Sequence, residues 1–212
     1  EDGTTPSPQD GRGRTSGFQA NFASRLRVSG VSRVLCIDEG RFGLKTWFRR
    51  RWCSRGKRPP WMVEETYEWL WLYAAVEPET GSCFVLLLPS VDGECFEIFL
   101  TELSKSALVE PDARVGVVLD NAPSHRSGQV RWPDGLVPMA LPAYSPELNP
   151  AEQVFRQLRA WLSNRVFESL DTLSDALGAG LRQFWDKPDL LVRLTYYPWW
   201  RDAVNSIPSQ SP

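Results

Sequence analysis

The chain has 212 residues, 42% of them hydrophobic and 24% charged, which suits one globular domain and excludes a collagen, a coiled coil or a wholly disordered chain. No apolar run approaches the roughly 20 residues of a membrane-spanning helix. Four scattered cysteines (Cys36, Cys53, Cys83, Cys95) form no C-x-x-C pair, so neither a zinc knuckle nor a disulfide framework is indicated and a reducing cytoplasm is expected. The net charge of −2 conceals an asymmetry, because residues 40–63 hold eight basic side chains and no acidic one. A local block of that kind implies a polyanionic partner.

In chain order, residues 1–17 contain Gly, Pro, Ser, Thr and charge but no apolar side chain. They are read as a flexible leader, since they cannot offset the entropy of ordering. A domain over 18–207 follows, with a loose tail at 208–212. Val34-Leu-Cys-Ile37 reads as a buried strand ending at Asp38, and a basic insertion or hairpin spans about 41–63. Residues 67–76 and 82–88 read as strands joined by the turn Pro78-Glu-Thr-Gly81. Apolar positions 96, 99, 100, 103 and 107 predict a helix over 93–108. Val115-Gly-Val-Val-Leu119 reads as a strand ending at Asp120, and 136–141 as a further strand. Helices are expected over 150–166 and 170–186. The order predicts an α/β fold, a mixed sheet with flanking helices.

Two acids, Asp38 and Asp120, end equivalent strands, where open α/β sheets bind ligands. If the strands are neighbours, the carboxylates converge and call for a cation such as Mg2+ between them; either Asp alone could equally be a turn former. Glu152 admits two readings. Asn149 and Pro150 suit a helix cap and first position, so Glu152 falls where a capping box places it. On the helical wheel it groups with Arg156 and Arg159, away from the stripe Val154, Phe155, Leu158, Trp161 and Leu162. That grouping is either a solvated charge pairing or a metal ligand whose neighbours hold phosphates.

The strings DEGRFGL (38–44), VLDNAPSHRS (118–127) and LPAYSPELNPAEQVF (141–155) together resemble the catalytic domain of bacterial insertion-sequence transposases of the Tc/mariner superfamily. The third string is the most specific, and the resemblance covers about 31–204. It implies an RNase H-like fold and a D-D-E triad of Asp38, Asp120 and Glu152 holding two Mg2+ ions, with Mn2+ able to substitute. One metal would activate a water or 3′-hydroxyl and the other stabilise the leaving oxygen, chemistry that suits a chain with one histidine. It further implies cut-and-paste transposition into a TA target, a homodimer in synapsis, a nucleoid-associated protein, and a separate or missing helix-turn-helix region for end recognition. One departure is the interval of 31 residues between Asp120 and Glu152, shorter than the family leads one to expect. It corresponds to a trimmed loop or to a copy that has lost activity.

His125 is either a hydrogen-bonded structural residue or, with Asn121, a neighbour of the scissile phosphate. Glu39 points away from Asp38 if the strand continues, and is not expected to ligate. Arg41, Lys45, Arg49, Arg50, Arg51, Arg55, Lys57 and Arg58 are interleaved with Trp47, Phe48 and Trp52, mixing phosphate ligands with stacking surfaces as DNA binding demands. Trp69, Trp71, Trp185, Trp199 and Trp200 are read as core or packing surface. No Gly-rich phosphate loop and no G-x-S-x-G elbow is present. The rival functions are a non-catalytic DNA-binding or assembly module and a simple metal-dependent nuclease of the same fold.

Overall fold

The computed structural model describes residues 8–50, 52–57, 62–126 and 130–207. At its centre is a five-stranded sheet in the order β3-β2-β1-β4-β5. β1 (Arg33–Gly43), β2 (Trp69–Glu77) and β3 (Ser82–Leu88) are antiparallel neighbours. β4 (Val115–Leu119) and β5 (Leu136–Ala140) run parallel to β1. The turn between β2 and β3 closes where Gly81 donates to the Glu77 carbonyl at 2.9 Å. Its φ of +73° and the Pro188 carbonyl oxygen, 2.2 Å from where a Cβ would sit, make glycine necessary there.

Alternation along β1 divides the interior into two layers. Val34, Cys36 and Phe42 face one core; Leu35 and Ile37 face the other. α4 (Ala151–Leu162), α5 (Leu170–Asp186), α6 (Pro188–Thr195) and α7 (Pro198–Val204) contribute to the first core. α2 (Gly93–Ser104) covers the second with Phe96, Phe99, Leu100 and Leu103. α2 stops four residues before its expected end, because Lys105 and Ser106 turn their N–H groups back to the carbonyls of Glu102 and Leu103. A single turn, α3 (Pro123–Arg126), follows β4.

The fold departs from the expected leader. Residues 8–17 are the first turns of α1 (Pro8–Ser29). Phe18, Phe22 and Leu26, one per turn in its second half, are buried and carry the helix into the first core. Phe22 meets Trp200 of α7 with ring centroids 5.3 Å apart. Residues 1–7 and the tail at 208–212 lie outside the described residues. Trp200 is fully buried, whereas Trp69 and Trp185 remain 44% and 48% exposed at the margins. Trp161 is also partly exposed, its indole N–H donating to the Ala176 carbonyl at 3.2 Å. No helix among the described residues is long and apolar enough to cross a membrane.

Candidate active site

Asp38 and Asp120 are brought together by strand register. The β1–β4 pairing runs from Arg33 opposite Val115 to Cys36 opposite Val118, and the same offset carried two residues further sets position 38 beside position 120. Neighbouring strands are about 4.8 Å apart, so the two carboxyl groups share the mouth of this cleft. α4 supplies the third acid, and two local features dock it. An added Cβ at Gly40 would stand 2.9 Å from Cδ1 of Phe155, so glycine lets α4 lie against β1 immediately beyond Asp38. At the helix start, Asn149 donates from its side-chain amide to the Ile37 carbonyl at 3.0 Å and accepts from the Ala151 N–H at 3.1 Å. Asn149 thus holds the start of α4 to the middle of β1, next to Asp38.

Glu152 does not complete a capping box. The Asn149 N–H it would have reached donates to the Pro146 carbonyl at 2.9 Å. The Glu152 carboxylate instead lines one cavity of about 520 Å³ with Asp38 and Asp120. Its other walls include Asn121, Tyr144 and Asn149. Burial, followed by the charges of Glu152, Glu39 and Asp120, pushes the Asp38 carboxyl well above the usual carboxylate range. The donor set is hard oxygen of the kind Mg2+ prefers, and the mutual repulsion is what a cation would relieve. Among the described residues no three His, Cys, Asp or Glu side chains stand in ligating geometry. The acids therefore share a cavity rather than a preassembled cage.

His125 is a support behind this cavity and not an exposed phosphate contact. Its side chain is only 2% exposed, with Nε2 2.9 Å from Glu39 and Nδ1 2.9 Å from Oδ1 of Asp120. Its ring packs on Phe96 with centroids 4.4 Å apart. Burial opposes the imidazolium, but the hydrogen bonds to Asp120 and Glu39 outweigh it and push the group up to about 10. Asp120 also accepts from the Ala122 N–H at 2.9 Å, a local turn that fixes its orientation. Asn121 donates to the Leu141 carbonyl and holds the following loop against β4. Glu39 does face away from Asp38, as expected, and its role there was not foreseen. Its partner lies 86 residues away in the chain, beyond the reach of any local pattern.

The basic segment extends the β1–β2 hairpin. Leu44 and Thr46 donate to the carbonyls of Glu68 and Glu64, each at 3.0 Å. Arg41, Lys45, Arg49, Arg50, Trp52, Arg55 and Lys57 are all exposed. Arg41 lies over the Trp69 ring at 5.4 Å, and Lys45 donates to the Tyr67 hydroxyl at 3.1 Å. Arg51 and Arg58 lie outside the described residues. Arg156 is exposed and donates to Gln153 on its own helix. Arg159, grouped with it on the helical wheel, instead turns inward among aromatic rings.

Residues 33–174 match the family model described as DDE superfamily endonuclease. The protein y4pE/y4sA of Sinorhizobium fredii (strain NBRC 101917 / NGR234), itself described as uncharacterized, is 33% identical over 132 residues, which is 62% of this chain and 96% of that protein. The Mos1 strand transfer complex has a similar fold, with a TM-score of 0.69 at 20% identity over 97% of this chain and 65% of that one. The catalytic domain of Mos1 mariner transposase alone gives a TM-score of 0.63 at 19% identity and covers 97% of both chains. Mos1 paired end complexes with Mn and with Mg share the fold. The chain thus spans about two thirds of the Mos1 chain in the strand transfer complex and nearly all of the Mos1 catalytic domain. The sheet and its flanking helices are those of an RNase H-like domain.

Proposed function

The chain belongs to the DDE superfamily endonucleases, and from that membership we propose that it is the catalytic domain of a DNA transposase. It hydrolyses phosphodiester bonds at element ends and joins the freed 3′ ends to target DNA, by cut and paste at TA dinucleotides. The observation that carries this reading is the single cavity lined by Asp38, Asp120 and Glu152, one acid each from β1, the end of β4 and α4.

These three carboxylates would hold a pair of Mg2+ ions, with Mn2+ as a substitute. Bound there, the ions would activate a water or the 3′-hydroxyl of a DNA end and stabilise the leaving oxygen of an in-line displacement at phosphorus. The Mos1 complexes with Mn and with Mg support the choice of metal. The rest falls to the chain itself. His125 orients Asp120 and balances the buried charge of Glu39. Asn149 fixes the start of α4, and so the distance from Glu152 to β1. The exposed cations and Trp52 of the basic segment take DNA phosphates and stack on unpaired bases. Bringing two element ends together calls for a homodimer, acting at the nucleoid.

Incubation with pre-cut element ends, target duplex and Mn2+ tests the reading. Strand joining is the expected result. Cleavage alone would assign a simple nuclease, and DNA retention without either would assign a binding module.

A further inference from the structure

One cation near the third acid stands apart from the exposed basic segment and is partly buried, its side chain 30% exposed. Arg159 follows Glu152 by two turns of α4. Its Nη1 stands 3.9 Å from Oε2 of Glu152. Its guanidinium carbon lies 5.6 Å from the ring centre of Phe42, 5.6 Å from that of Trp47 and 5.9 Å from that of Phe155. Its Nε is buried without a hydrogen-bond partner. The three rings come from β1, from the basic segment and from α4 itself. Trp47 is held in place from outside. The Asn164 N–H donates to the Trp47 carbonyl at 2.8 Å. The Asn164 side chain exchanges two hydrogen bonds of 3.0 Å with the Arg49 backbone. Asn164 itself adopts φ +60° to do so.

We propose that Arg159 is a positioning residue for Glu152, and that Trp47 of the basic segment sets its place. A guanidinium free in water samples many rotamers. Contact with three ring systems removes that freedom and leaves one edge toward Glu152. At 3.9 Å the pair is close enough to bias the carboxylate's direction, yet too long for a tight hydrogen bond that would tie up its oxygens. A phosphate ligand needs its N–H groups open to the ligand; Arg159 has a buried Nε and rings around it. The inference rests on the reading of Glu152 as a metal-holding acid.

Calorimetric titration of the whole chain with Mn2+, in the absence of DNA, tests it. Trp47→Ala changes no charge and should weaken Mn2+ binding about tenfold, as loss of an outer support does. Arg159→Lys keeps the charge but loses the plane and should do the same. The double variant should lose no more than either single one, because the two act as one unit. Trp47→Phe, which restores a ring, should bind like the parent. In parallel, Arg159→Gln should leave the salt dependence of duplex binding unchanged; a slope lower by about one would mark a phosphate contact and overturn the proposal. Glu152→Gln is the reference. If it leaves Mn2+ affinity intact, the metal reading itself fails. If it abolishes binding while Trp47→Ala and Arg159→Lys bind normally, the positioning role alone is overturned. Should Trp47→Ala fail to fold, Arg159→Lys decides.

Discussion

Asp38 is the residue at which stability and chemistry oppose each other. It lies in the central strand with β2 and β4 on either side, and burial together with Glu152, Glu39 and Asp120 disfavours its charge. Asp38→Asn removes that charge at nearly constant volume. The metal-free variant should therefore be more stable at neutral pH by about 1 kcal/mol, a rise of about 2–4 °C in Tm for a domain of this size. It should also lose the increase in Tm that Mn2+ gives the parent, a difference that thermal denaturation with and without metal would read directly. Asp120→Asn differs in kind, because Asp120 is paired to His125. Gel assays should show no cleaved or joined product, with DNA retention close to the parent's; product at the parental rate would remove Asp120 from the metal set. Asp120 and Glu152 were legible in the sequence because each lies at the end or the start of an element in a recognisable string; Asp38 was legible from its string alone, since β1 does not end there as expected but stays paired with β2 as far as Gly43. Their supports were not. Glu39 could be placed on the opposite face by strand parity, but nothing local to it reveals His125. Arg159 shares a helical face with Arg156 on paper, and only the arrival of Phe42 and Trp47 from another element separates their roles.

Among the elements, α4 depends on one missing side chain. With Phe155 2.9 Å from the place of a Cβ at Gly40, Gly40→Ala must push the ring, and with it the helix, away from β1. Overpacking of this kind costs about 1–3 kcal/mol. Because Glu152 lies one turn before Phe155, metal-dependent cleavage should fall further than stability, which chemical denaturation and a cleavage assay on the same preparation would separate. α2 offers a control remote from the acids. Asp92 caps it by accepting from the Cys95 N–H at 2.8 Å, and this hydrogen bond, with that from Ser90, holds the carboxyl below its usual range. Asp92→Ala should cost about 1 kcal/mol. A depressed carboxyl stabilises the fold above its unfolded value and ceases to do so as pH falls through its folded one. The difference between parent and variant should thus be complete at neutral pH and shrink below pH about 4; a constant difference across that window would show that the carboxylate charge is irrelevant to the cap. Elements with apolar residues throughout their length were readable: the helix expected over 170–186 is α5 with the same bounds. α1 was half hidden, because its first turns contain no apolar side chain and only Phe18, Phe22 and Leu26 reveal its periodicity.

At the scale of the whole molecule, the chain reconciles a short connection with a complete cavity. Only 31 residues separate Asp120 from Glu152, yet they provide α3, β5 and the loop that enters α4. Asn121 and Asn149 bond that loop directly to the end of β4 and to β1. The short interval therefore does not prevent all three acids from lining one cavity. Charge is divided in the same economical way. The net charge is −2, so the molecule's overall field does not favour DNA, and the proposed attraction rests on the basic segment. Arg49 and Arg50 are exposed there, and only the Arg49 backbone is engaged with Asn164, so replacing their side chains leaves that clamp intact. Each arginine that meets a phosphate releases about one counterion, so Arg49→Gln with Arg50→Gln should lower the slope of log affinity against log salt by about two. Affinity should fall alike for unrelated duplex sequences, since backbone contacts do not read bases. Fluorescence anisotropy from low to moderate salt would measure both. A slope equal to the parent's would place the DNA on another face, while a loss confined to one sequence would mean that these arginines read base edges.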